Sequence, residues 1–135
     1  MPFPPEEFCA VAADLRDRKP LSGEGRHRTV VGRAYYGAYL ATCWAICRTH
    51  RIDPARDMGH EIVANTLASV RGDEDLRKLG NLLNTLRFQR ILSDYKPAST
   101  VSEDEADDAV GDAKRVLELV AAVAARLPRI EPRAE

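Results

Sequence analysis

Apolar side chains recur along this chain at three- and four-residue steps, the repeat of one helix face, and nowhere alternate as a half-buried strand would. The first such stretch runs from about 5 to 18, where Phe8, Val11, Ala12 and Leu15 share a face. Pro4-Pro5 is tolerated at a helix start. Lys19 to Gly25, with a proline and two glycines, reads as a loop. The second stretch, about 26–50, is the longest. Between Val30 and Ile46 it is apolar on nearly every side, with Arg33 its only charge, the pattern of a helix at the centre of a bundle. Gly37 interrupts it at a cost of about 1 kcal/mol relative to Ala, so a neighbouring backbone is expected to approach there.

Three further helices follow. The third, at about 60–70, carries Ile62, Val63, Thr66, Leu67 and Val70 and stops at Gly72. The fourth starts at Asp73, a good N-cap, and runs to about Ser93 with a stripe of Leu76, Leu79, Leu82, Leu83 and Leu86. The fifth opens on Ser102-Glu103-Asp104-Glu105, the spacing of a capping box, with an acidic first turn that suits the helix dipole. Ala106, Ala109, Ala113, Val116, Val120, Val123 and Leu127 continue its seam until Pro128 and Pro132 end it. Five helices with short connections predict an all-α antiparallel bundle. A single domain is expected over 1–135, with its core at about 5–126 and a frayed tail at 127–135.

Composition narrows the function. The chain has 135 residues, with 20 Lys and Arg against 21 Asp and Glu. That length builds a core without disulfides or metal, and the charge balance argues against a basic, nucleic-acid-coating protein. No apolar run approaches the ~18–20 residues that span a bilayer, and Met1 to Glu7 lacks the order of a secretion signal. A cytoplasmic protein without membrane contact is expected. Cys43 and Cys47 lie four apart on a helix, so their Cβ atoms stand ~5–6 Å apart, beyond the ~3.8 Å of a disulfide. With His50 they share one face, but small apolar packing accounts for the thiols better than a metal does. No other metal spacing or phosphate-binding loop occurs. Neither metal nor cofactor is expected.

Charged residues that break the pattern are the informative ones. At ~100° per residue, Arg90 falls inside the stripe of Leu79, Leu83 and Leu86, with Arg87 and Asp94 at its border. A guanidinium aimed at a core is costly unless paired. Two explanations stand. Arg90 pairs with Asp94 at i+4 and locks the helix end, or Arg87 and Arg90 line a cleft or subunit interface that holds an anion such as phosphate. The second helix and the start of the loop after it also hold Arg26, Arg28, Arg33, Arg48 and Arg51 with no acid among them, while the first turns of the last helix hold Glu103, Asp104, Glu105, Asp107, Asp108 and Asp112. Either the acidic run is a solvated face, or the basic end attracts nucleic acid.

Arg33-Ala34-Tyr35-Tyr36-Gly37-Ala38-Tyr39, His60 at the start of the third helix, Leu86-Arg87-Phe88-Gln89-Arg90 followed by Asp94-Tyr95, and the Ser102 start of the last helix together resemble the HEPN superfamily over about residues 5–126. The resemblance implies a helical bundle that usually forms a homodimer. It also implies a link to metal-independent ribonuclease toxins paired with a nucleotidyltransferase-like antitoxin. In those enzymes an Arg and a His four to six residues later face a cleft at the dimer interface. The His suits deprotonation of the 2′-hydroxyl and the Arg suits the phosphorane charge.

This chain departs from that motif. Counted from Arg87, the His position lands on Ser93, and no His follows His60. An unactivated serine is no base near neutral pH. The reading is a HEPN-like module of a toxin–antitoxin or defence system that binds RNA, a nucleotide or a partner, with Arg87, Arg90, Arg33 and Tyr36 as the anion- or RNA-contacting set. The alternative is a divergent ribonuclease with a composite site at a dimer interface, in which Arg87, His60 and Tyr95 are catalytic. The resemblance further implies Tyr95 as a target for nucleotidylation.

Overall fold

The computed structural model describes residues 4–18, 23–53 and 58–131. Five α-helices follow in order: α1 (Glu6–Asp17), α2 (Gly23–His50), α3 (His60–Ala68), α4 (Glu74–Tyr95) and α5 (Glu103–Val123), with a short 3-10 turn at Ala124–Arg126. Among the described residues there is no strand. The protein is the all-α bundle its apolar periodicity predicts.

The helix without a polar face is the central one. α2 packs against α1, α4 and α5, while α3 rests on α4. Val30, Val31, Ala34, Tyr35, Ala38 and Ile46 of α2 are fully or almost fully buried. They meet Ala12 of α1, Leu79, Leu83 and Leu86 of α4, and the small seam of α5 in one core. Every seam residue of α5 named from the sequence is buried, Leu127 included.

Two glycines set helix spacing. A Cβ on Gly37 would stand 3.0 Å from the Cys9 backbone nitrogen and 3.2 Å from Phe8 Cβ, so α1 crosses α2 there. A Cβ on Gly80 would collide with the Ala68 backbone and stand 2.7 Å from the Ala64 carbonyl oxygen, which brings α3 against α4. Caps form where the sequence places them. Asp73 accepts from Leu76 N at 3.2 Å, and Ser102 and Glu105 satisfy each other's backbone N–H in a capping box.

Four expectations are corrected. α2 begins at Gly23, inside the stretch read as loop. Glu24 makes the extra turn worthwhile, accepting from Val101 N at 2.9 Å and pairing with Arg28 at i+4. The remaining loop residues, 19–22, lie outside the described residues. α3 ends at Ala68, and Ile62, assigned to its inner stripe, is 50% exposed. Leu82 is only half-buried, at the edge of the core where α4 faces α5. The tail is not frayed at its start. Ile130 is buried beside Leu127, His50 Nε2 donates to the Leu127 carbonyl at 2.6 Å, and Arg129 donates to the His50 carbonyl. Residues 132–135 lie outside the described residues.

Candidate functional site

Arg90 occupies the inward stripe of α4, and the fold meets its charge with rings and a carboxylate. Its Nε donates to Asp94 Oδ2 at 3.0 Å, one helical turn on. Its Nη2 donates to the Tyr36 hydroxyl at 2.6 Å and to the Tyr95 hydroxyl at 3.2 Å. The guanidinium also lies 5.0 Å from the Tyr36 ring centre, 5.1 Å from that of Tyr95 and 5.9 Å from that of Tyr35, within the range of cation–π attraction. Only 16% of the Arg90 side chain remains exposed. Charge-assisted hydrogen bonds in so covered a place are strong and directional.

The tyrosines come from the helix periodicity of α2. Arg33 and Tyr36 sit at i and i+3, and the Arg33 guanidinium lies between the rings of Tyr36 (5.8 Å) and Phe8 of α1 (5.4 Å). Tyr35 and Tyr39, at i and i+4, lie near-parallel at 5.9 Å. His60, the first residue of α3, stacks on Tyr39 at 3.9 Å. The Tyr35 hydroxyl is hydrogen-bonded to His60 Nδ1. Burial pushes the Tyr35 phenol far above its ordinary pKa, against the pull of Arg90 and Arg87. Tyr35 therefore stays neutral and links His60 to the surroundings of both arginines.

Arg87 is held more loosely. It is half-buried, and Nη2 reaches Asn84 Oδ1 at a long 3.4 Å. Asn84 in turn donates to Asn65 of α3 at 3.0 Å. Arg87 Nε is buried with no acceptor among the described residues. Such an orphan donor is uncommon in a folded protein.

Ser93, the motif position counted from Arg87, faces the other way. Six residues of helix turn it ~120° from Arg87. It is buried, its hydroxyl lacks a partner among the described residues, and its carbonyl accepts from Arg28 at 2.7 Å. Asp94, not Ser93, lies in line with Arg87, and Arg90 already holds its carboxylate.

Arg28 is part of the same neighbourhood. Its guanidinium donates to the carbonyls of Leu92, Ser93, Lys96, Pro97 and Ser99, at the end of α4 and in the loop beyond. The Ser93 carbonyl is among the acceptors that a helix C-terminus leaves unsatisfied, while those of Leu92 and Lys96 also accept from the backbone N–H groups of Lys96 and Ser99. The clamp fixes the segment carrying Asp94 and Tyr95.

The fold thus brings Arg90, Arg87, Tyr36, Tyr95, Asp94 and Arg33 to one face and ties His60 to them through Tyr35. It does not make one basic patch of the α2 arginines. Arg26 donates to the Arg18 carbonyl, Arg28 is spent on the α4 end, and Arg48 and Arg51 stand at the opposite end of a 28-residue helix. Cys43 and Cys47 are buried in the core, Cys47 beside Met58 Sδ, and His50 faces the Leu127 carbonyl. No cluster of three His, Cys, Asp or Glu side chains that could hold a metal occurs among the described residues. Sequence reasoning quoted Tyr35 and Tyr39 in the family motif without giving them a site role, and missed Asn65 and Asn84. The Tyr35–Tyr39 spacing was a usable signal; the Asn65–Asn84 bridge joins two helices and left none.

A family model for the HEPN domain matches residues 12–123. The chain belongs to the HEPN family. The matched span takes in Arg33 to Tyr39, His60, Arg87 to Tyr95 and all of α5. No curated protein and no solved structure gives a significant match to this HEPN chain. None of its described helices is long and apolar enough to cross a membrane.

Proposed function

We propose that this HEPN protein is a binding module of a toxin–antitoxin or defence system, and that Arg87 and Arg90 receive the phosphate of an RNA or a nucleotide. One observation carries the reading. Two guanidinium groups one turn apart share a face with Tyr36 and Tyr95, and one of them, Arg87, has a buried N–H without an acceptor among the described residues. Arg90 is neutralised by Asp94 and acts as the fixed floor; Arg87 supplies the anion contact. Tyr95, 61% exposed, offers a ring on which a base stacks. Without a His in line with Arg87, the face lacks a group to deprotonate a 2′-hydroxyl.

Titration with short single-stranded RNA and with nucleoside triphosphates tests this. Arg87→Ala is expected to weaken binding about tenfold or more, the scale of a lost charge-assisted contact. Tyr95→Ala weakens RNA more than triphosphate. Binding unchanged in Arg87→Ala rules the site out.

The Tyr35–His60 hydrogen bond favours one second reading, a divergent ribonuclease. In it His60 moves the proton, Arg87 stabilises charge and Tyr95 is the third group. Growth arrest and RNA cleavage that disappear in His60→Ala, in a variant that keeps its helical content, support it. A harmless chain that leaves RNA intact removes it.

A further inference from the structure

A cavity of about 270 Å³ opens between the start of α1, the second half of α2 and the end of α5. No residue of α3 or α4 lines it, so it is separate from the face that holds Arg87 and Arg90. Pro4 and Pro5 wall it from the α1 side, the half-buried Trp44 from α2, and Leu117 and Val120 from α5. Alanines of α2 and of the α5 end complete the wall and leave the space open. Two charges stand in this apolar lining. Glu6 lies in the first turn of α1 and Arg48 in the last turn of α2, each at the helix end that suits its sign. Both are exposed, and neither enters a salt bridge or a side-chain hydrogen bond among the described residues.

We propose that this cavity binds a free amino acid with an apolar side chain. The side chain packs on Trp44 and the alanines, the carboxylate meets Arg48 and the ammonium meets Glu6. The lining selects that class. An aromatic ring among aliphatic walls favours an apolar body. A planar guanidinium with open donors favours a carboxylate. A simple acid would bring its charge towards Glu6, and a simple amine would bring its charge towards Arg48. A ligand that carries both signs meets each with its opposite. Size agrees. The volume falls below the ~300 Å³ at which pockets for drug-sized ligands begin, which is room for an amino acid and not for a nucleotide. The site is also remote from the arginine face, since Trp44 stands eight residues beyond Tyr36, about 12 Å along the helix.

Trp44 is the one tryptophan of the chain, so its fluorescence reports on this cavity directly. The full chain is titrated with leucine and with phenylalanine, exciting beyond the tyrosine band. A saturable change in emission is expected, with a dissociation constant of about a millimolar or below for ligands this small. Isocaproate, which lacks the amine, and isoamylamine, which lacks the carboxylate, should each bind about tenfold more weakly than leucine. Glycine, with no side chain to bury, should give no response. Arg48→Gln should weaken leucine about tenfold and spare isoamylamine; Glu6→Gln should weaken leucine and spare isocaproate. Ala121→Leu, at an exposed position of the lining, fills the space and should abolish the response. These three positions are exposed, so the variants keep the wild-type helical content by circular dichroism. An emission that never saturates with leucine or phenylalanine overturns the proposal. So does isocaproate or isoamylamine binding as tightly as leucine, or affinity unchanged in all three variants. RNA binding at Arg87 is a separate readout, and its failure would leave this result standing.

Discussion

Arg90 Nη2 donates to the Tyr36 hydroxyl at 2.6 Å, joining α4 to α2 across 54 residues of sequence. The same guanidinium binds Asp94. Its position inside a leucine stripe is thus explained by a partner on another helix as well as one on its own.

Arg90→Lys keeps the charge but cannot serve Asp94 and two hydroxyls from one planar fork. Its expected cost is about 1–3 kcal/mol, the range for leaving a covered polar group unsatisfied. Thermal melts of Arg90→Lys, Tyr36→Phe and the double variant measure the coupling. Strictly additive effects would mean that the contact contributes nothing.

Three glycines in helices should respond in opposite directions. Gly37→Ala forces a methyl onto Cys9 and Phe8, and Gly80→Ala forces one onto Ala64 and Ala68. Each is expected to destabilise by about 1–3 kcal/mol despite the better helix propensity of Ala. Gly111 has nothing within 4 Å of the added carbon, so Gly111→Ala should stabilise by up to about 1 kcal/mol. Denaturant midpoints decide each case.

Two aspartates should give opposite pH signatures. The Arg126 hydrogen bond holds the Asp73 carboxyl below its ordinary pKa. Its contribution to stability is therefore present at neutral pH and is lost as pH falls through the folded-state value. Asp73→Asn keeps a capping acceptor and should melt below wild type at neutral pH but level with it in acid. Burial, helped by Asp108, raises the Asp112 carboxyl pKa against the pull of Arg115. Here the ionised form is the disfavoured one when folded, so Asp112→Asn should melt above wild type at neutral pH, and the gain should vanish in acid.

Tyr35 should resist ionisation well into alkali, because burial dominates its environment. A phenol pKa raised on folding adds stability that is intact below the unfolded-state value and disappears as pH climbs through the folded one. Ultraviolet titration of wild type and Tyr35→Phe should show one phenolate fewer in the variant only once the chain unfolds in alkali. A lost phenolate within the native range contradicts the buried assignment.

Periodicity made the helices legible because each buries one stripe, and Ser102 and Asp73 advertised their caps. It misplaced Ile62, since α3 packs mainly on α4, meets α2 through His60 at its first residue, and as a short helix has little else to cover. It read Gly23 and Gly25 as breakers, because the Glu24 contacts that support the added turn come from Val101, far along the chain. Arg90 stood out in the sequence as a charge on an apolar face. Its link to Tyr36 did not, because a pair between helices has no local spacing to betray it. Ser93 matched the family motif by count, whereas helix geometry turns it away from Arg87.

The Arg28 clamp has a consequence for assembly. The Ser93 carbonyl at the exit of α4 finds its donor on a helix made more than sixty residues earlier, and the same guanidinium reaches the loop beyond. A peptide holding α4 and α5 but severed from α2 would leave the Ser93 carbonyl without this donor, and the Asp94–Tyr95 end would lose its clamp even with every local signal intact. The last turn of α4 is thus a tertiary object, formed only when a distant part of the chain is already waiting for it.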